Sequence, residues 1–403
     1  MKSVVFLGDG MADYPIAALD NMTPLEKSVH PGMDFLAQNG LFGLARTVPK
    51  GMPPGSDTAN LSVFGYDPEI YYSGRSPLEA ASMGIPLDIA DVTYRCNTVT
   101  LSEAADLADA DMIDYSAGEI TTEESRQLIE YLRDQIACDG LELHPGISYR
   151  HCLVLRAGTD GAKLTPPHDI TGKPVHEYLP SGQNAELLMA IMRRSYEILK
   201  DHPVNIARVA AGKNPANCVW FWGEGRKPDL TPFAEKFGVQ RGAVISAVDL
   251  IHGIGRCAGL ESIEVANITG NYHTDFAAKG RAAIEALQSG CEMVYIHVEA
   301  PDECGHHGEI PEKVWSIEQI DEKIVRPVLD YLRSTGEDFS ALLMPDHPTP
   351  IAKLTHIDDP VPFALYRSDT VRRGAERFTE ANAAASGVYI EKACDLMEML
   401  VKH

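Results

Sequence analysis

Three times in this 403-residue chain an apolar run ends in a carboxylate, and that pattern restricts the fold more than any other feature. Met293-Val-Tyr-Ile-His-Val298 leads to Pro301-Asp302-Glu-Cys-Gly-His306-His307, Ser3-Val-Val-Phe-Leu-Gly8 leads to Asp9, and Phe339-Ser-Ala-Leu-Leu-Met344 leads to Pro345-Asp346-His347. Unbroken apolar runs of this length read as strands covered on both faces, as in parallel sheets. Such sheets collect their chemistry beyond the carboxyl ends of the strands. The acids and imidazoles are therefore expected in loops and turns along one sheet edge.

Asp302 and His306 are spaced so that two side chains converge on one ion, and oxygen with imidazole donors suits Zn²⁺, Mn²⁺ or Mg²⁺. Asp9 lies between Gly8 and Gly10, where the backbone admits a close ligand, although a carboxylate there also serves as a helix cap. Ser56 stands where a Pro/Gly-rich loop turns into a helix; it is either an N-cap or, beside a metal, a nucleophile. His356 lies in a further loop. Capping and core packing explain each residue singly, but the ordered set Asp9, Ser56, Asp302, His306, Asp346, His347, His356 points to a site for two metal ions.

From residue 89 the texture changes to a β-α-β block. Its polar positions Arg95, Asn97, Arg150, His151, His168 and Lys173 suit the grip of an anion better than scattered ion pairs do. The expected organisation is α/β: a core of 1–88 and 180–403 with a mainly parallel sheet flanked by helices, and an inserted small α+β unit at 89–179. Arg75, before a helix start, and Arg226, placed in a loop after the Cys218–Trp222 strand, are open to substrate contact or to solvated charge.

A formal net charge of -23 argues against a duplex-binding or anionic-membrane surface, though a local arginine cluster still accommodates a small anion. No run reaches the roughly 18 apolar residues of a membrane span. The eight cysteines form no C-x-x-C pair, as in a reduced cytoplasmic protein.

Gly8-Asp9-Gly10, Pro54-Gly-Ser56-Asp-Thr-Ala-Asn60, Tyr94-Arg-Cys-Asn97, Pro301-Asp302-Glu-Cys-Gly-His306, Asp346-His347 and His356-x₃-Pro-Val-Pro-Phe363 are specific as an ordered set. In them the chain resembles the alkaline phosphatase superfamily, specifically the cofactor-independent phosphoglycerate mutases of the archaeal type, over essentially its whole length. The resemblance implies an alkaline-phosphatase-like core. It implies one metal on Asp302, His306 and His356, and another on Asp9, Ser56, Asp346 and His347. It further implies Ser56 as the nucleophile that becomes phosphoserine, two divalent ions (Mn²⁺ first, with Mg²⁺, Zn²⁺ or Co²⁺ as alternatives), no bisphosphoglycerate, and the insert as a lid over a small phosphorylated substrate. Partners are limited to that substrate, with no nucleic acid or membrane; a homo-oligomer is left open. His297, Glu299 and Glu303 lean towards a bacterial branch proposed to be a homoserine kinase, which is the alternative reading. A phosphate-ester hydrolase and a metal-stabilised binding protein without turnover are further alternatives.

Overall fold

The computed structural model describes residues 1–370 and 372–402, and the chain divides into two compact units, Met1–Tyr72 with Leu230–His403, and Ser73–Asp229. In the first unit the strands run, in spatial order, Glu261–Ile263, Gly242–Ile245, Met293–Val298, Lys2–Gly8, Phe339–Met344, Val361–Arg367, Leu41–Ala45 and Tyr389–Ile390. Only Val361–Arg367 runs against its neighbours, so the expected mainly parallel sheet is present. Every residue of Met293–Val298 and Phe339–Met344 is buried, as unbroken apolar runs require.

Helices cover both faces. Val4 and Phe6 point to one face and pack with Met33 and Leu36 of the helix Pro31–Asn39, Leu287 of Phe276–Gln288, and Leu332 of Arg326–Thr335. Each such side chain contributes about 1.5–3 kcal/mol through burial. On the other face Ser340 donates to the carbonyl of Leu400 in the helix Asp395–Val401, at 2.8 Å.

The register places the site. Leu7 lies beside His297 on one side and Met344 on the other, so Asp9, Asp302 and Asp346 all emerge past the same edge. The Asp302 segment is a helix, Ala300–His307, rather than the expected loop and turn. Pro301 is tolerated in its first turn, where its missing N–H costs nothing, and Gly308 at φ 73° ends it. The i, i+4 spacing then brings Asp302 and His306 onto one helical face. Gly10 is required here, because at φ +63° a Cβ would stand 2.6 Å from the Asp302 Cα.

The second unit is broader than the 89–179 expected from sequence. Val92–Leu101, buried throughout, pairs with Arg150–Leu155 and also with Cys218–Arg226, so the later strand belongs to this sheet. Leu188, Ile191 and Met192 of the helix Ala185–Leu199 pack in the same core as Leu128 and Leu132 of Thr122–Ile136. On the opposite face Ala80 and Ile85 meet Cys152 and Val154. Sequence alone marked the β-α-β texture but not the pairing that draws residues 73–88 and 180–229 into it.

One buried ion pair ties the loop after the first strand to the rest of the first unit. Lys313 Nζ donates to Asp13 Oδ2 and to the Thr349 carbonyl, each at 2.7 Å, and both charged side chains are fully buried. Lys313→Met leaves the Asp13 carboxylate buried without its partner, and is expected to lower stability by roughly 3–5 kcal/mol, read from urea unfolding.

Candidate active site

Ser56 is the first residue of the helix Ser56–Val63, and its Oγ lies 3.2 Å from His347 Nε2. The same nitrogen is 3.4 Å from Asp346 Oδ2 and 3.7 Å from Asp9 Oδ1. Asn60, one turn along the helix, donates to Asp346 Oδ2 at 2.8 Å and to the Ser56 carbonyl at 2.9 Å. Tyr295, stacked on Phe64 at 4.0 Å, donates to Asn60 Oδ1 and sets which way that amide faces. Asp346 Oδ1 accepts from the backbone N–H groups of His347 and Gly10. Ser56 and Asp346 are thus held by a common brace.

A second group adjoins the first. Asp302 Oδ2 is 3.3 Å from His306 Nε2, and Asp302 Oδ1 is 3.3 Å from His356 Nε2 and accepts from Thr349 Oγ1. His306 donates from Nδ1 to the Leu354 carbonyl at 3.0 Å, which turns its Nε2 towards Asp302 and His356. That arrangement is the usual orientation of a ligating imidazole. His347 and His356 stack at 3.9 Å.

The electrostatics fit cations. Burial, then the charges of Asp346 and Asp302, push the Asp9 carboxyl well above the usual range, and its Oδ1 is buried with no hydrogen-bond partner. Burial opposes ionisation of Asp302 as well, but His306 and His356 hold it well below the usual range. The bond to Asp302 pushes His306 up to about 9, whereas burial lowers His347 and takes His297 down to about 3. The donor atoms of Asp302, His347 and His356 lie within 4.8 Å of one another, as do those of Asp9, His297 and Asp346. Carboxylate and imidazole donors of this kind, with one buried oxygen left orphaned, match the coordination chemistry of divalent ions.

In the second unit Arg75 and Arg95 each place Nε against the part-buried Glu79 carboxylate, at 3.0 and 2.9 Å. Burial opposes the charge on Glu79, and Arg95, Arg75 and Arg150 hold its carboxyl below the usual range. Arg95 also lies 3.8 Å over the Trp222 ring, and burial lowers its guanidinium to about 10. Trp222 donates to Asn97 Oδ1 at 2.9 Å, and His168 packs edge-on against Trp222. These five expected residues therefore share one cluster, in which the cations outnumber the carboxylate.

Three others do not join it. His151 is buried on the face opposite Arg150, accepting from Gly146 N–H, and burial takes it down to about 3. Lys173 is exposed and donates to the Asp169 carbonyl. Arg226 ends a strand instead of lying in a loop, and it binds Asp160 and the carbonyls of Ala90 and Gly158. Its sequence position gave no sign of these partners.

The family model described as 2,3-bisphosphoglycerate-independent phosphoglycerate mutase matches residues 37–205. A protein of that name from Methanosarcina barkeri is 48% identical over 404 residues, covering 100% of both chains. The chain belongs to this mutase family. A solved protein of Pyrococcus horikoshii superposes with a TM-score of 0.82 at 29% identity, covering 99% of this chain and 96% of that one. The cofactor-independent phosphoglycerate mutase of Thermoplasma acidophilum gives 0.69 at 25% identity, covering 99% of each.

Within this mutase-family site, sequence reasoning brought together Asp9, Ser56, Asp302, His306, Asp346, His347 and His356, all of which meet in the first unit. It assigned no role to Asn60, Thr349 or His297. Asn60 had a readable signal, one turn after Ser56 on the same helical face. His297 counted only as a mark of the kinase branch, yet its Nε2 is 2.9 Å from Asp9 Oδ2. Glu303 pairs with His307, at 3.9 Å. His356→Ala removes a donor from the Asp302 group alone; it is expected to lose one divalent ion and keep the other, as read from metal content after dialysis.

Proposed function

We propose that the protein interconverts 2- and 3-phosphoglycerate without bisphosphoglycerate, by phosphoryl transfer through Ser56. The observation that carries this is Ser56 Oγ, 3.2 Å from His347 and beside the carboxylates of Asp9 and Asp346. Asp9, Ser56, Asp346 and His347 would hold one divalent ion and Asp302, His306 and His356 the other, with Mn²⁺ the first choice for this donor set. Such ions neutralise charge on the phosphoryl group and favour the ionised serine hydroxyl.

Asn60 keeps the Ser56 backbone fixed against Asp346, so Oγ enters the reaction already oriented. Oγ forms a bond to phosphorus as the bond from phosphorus to the glycerate oxygen breaks, and that oxygen takes up the proton Ser56 gave up. The other glycerate hydroxyl then attacks the phosphoserine and restores Ser56. No atom is gained or lost, so no co-substrate is needed.

Arg75, Arg95, Asn97, Arg150 and His168 of the second unit are our candidates for holding the glycerate carboxylate, since guanidinium groups bind carboxylates in a matched fork. The second unit would act as the lid that keeps water from the phosphoserine, because hydrolysis would convert a mutase into a phosphatase. Eight free cysteines suit a reducing compartment such as the cytoplasm. Among the described residues no helix is long and apolar enough to cross a membrane.

The kinase alternative is not favoured, because full-length relatives bear the mutase name and His297 has a local role beside Asp9. Mn²⁺-loaded protein is expected to convert 3- to 2-phosphoglycerate without added bisphosphoglycerate and, when quenched with ³²P-labelled substrate, to yield phosphoserine. Ser56→Ala should lose both. ATP-dependent phosphorylation of homoserine with no conversion of phosphoglycerate would establish the kinase instead.

A further inference from the structure

His297 stands in the middle of a buried chain of polar contacts, between a serine and a candidate metal ligand. Sheet register puts it there: Ile245 pairs with Ile296 and Leu7 with His297, so Ser246 and Asp9 flank the ring from the two neighbouring strands. His297 Nδ1 is 3.1 Å from Ser246 Oγ, and its Nε2 is 2.9 Å from Asp9 Oδ2. The ring is fully buried and Ser246 is 2% exposed, so no solvent competes for these contacts.

The partners decide the tautomer. With Asp9 ionised on its ion, as the proposed function has it, Oδ2 only accepts, so a lone pair on Nε2 would face another lone pair at hydrogen-bond distance. Ser246 Oγ already accepts from the Val248 N–H at 2.9 Å, which leaves its own hydroxyl proton for Nδ1. Both contacts are satisfied when Nε2 carries the proton.

Ser246 is held in turn by a second imidazole of the same design. His252 Nε2 lies 2.8 Å from the Ser246 carbonyl, which only accepts, so that nitrogen is the donor. Ser262 Oγ then donates to His252 Nδ1. From the opposite side Lys279 Nζ, itself buried, donates to the His297 carbonyl at 3.0 Å. Every group that could let the ring turn is tied down.

We propose that His297 is a positioning residue and not a metal ligand: Ser246 fixes its Nε2–H tautomer, and that N–H holds Asp9 Oδ2 so that Asp9 Oδ1 faces the ion. The two carboxylate oxygens have separate tasks, and the orphaned one is Oδ1. A carboxylate that could rotate would present either oxygen, and would lose the single orientation on which ion affinity depends. The inference rests on Asp9 holding a divalent ion, as in the proposed function.

The test is long-range ¹H–¹⁵N correlation on the full-length, ¹⁵N-histidine-labelled enzyme loaded with diamagnetic Zn²⁺, alongside Zn²⁺ titration of wild type and Ser246→Ala. The expected result is a protonated Nε2 and an unprotonated Nδ1 at His297 in the loaded enzyme. Ser246→Ala is expected to weaken one of the two ions by about 10–100-fold, the usual effect of removing such a partner, and to leave the other unchanged. Ser246→Thr, which keeps a hydroxyl, should restore most of that loss. A metal-bound Nε2 at His297, or wild-type affinity in Ser246→Ala, overturns the inference while leaving the mutase reading intact. Wild-type enzyme that binds neither Zn²⁺ nor Mn²⁺ overturns both.

Discussion

Asp9, Asp302 and Asp346 are buried within a few ångströms of one another, and like charges so placed cannot all ionise without nearby compensation. The architecture around them meets that requirement. Two backbone N–H groups and Asn60 serve Asp346, His306, His356 and Thr349 serve Asp302, and His297 serves one oxygen of Asp9. What is left over is the other Asp9 oxygen together with ring nitrogens turned inward, a surplus of donor electrons that divalent cations satisfy. Ser56 is placed by the same arrangement, because Asn60 donates both to its carbonyl and to Asp346.

Much of this was legible because strand-end position is a one-dimensional property. Three apolar runs ending in acids describe three parallel neighbours, and the observed register confirms the common edge. Less legible was whatever depends on pairing between distant segments. Arg226 looked like a loop cation until its strand proved to be a partner of Val92–Leu101. His297 looked like a mark of lineage because nothing in sequence shows that Ser246 will stand on one side of it and Asp9 on the other. The Asp302 segment was expected as loop and turn because it follows a strand end, yet Pro301 and Gly308 each sit where a helix end accepts them.

The second unit shows the same division. Its arginines are visible in sequence, but that three of their charges bear on a single part-buried glutamate is a consequence of the helix Ser76–Ser82 lying against the sheet. Glu79 spreads and orients the guanidinium groups that would otherwise repel one another, which leaves a net positive charge in a fixed shape. His151, one residue from Arg150, is excluded by strand alternation alone.

The central position of Lys2–Gly8 has a consequence for how the molecule is made. Its two partners are Met293–Val298 and Phe339–Met344, so the strand is synthesised long before either of them, with both edges unpaired. Residues 73–229 are synthesised in full during that interval, before either partner exists. Contacts so far apart in sequence make closure of this sheet a slow, late event, and an apolar strand held open that long invites wrong pairing. Asp9, one residue beyond the strand, cannot reach Asp302 and Asp346 until the sheet closes, so the acidic cluster forms only when these distant segments pair.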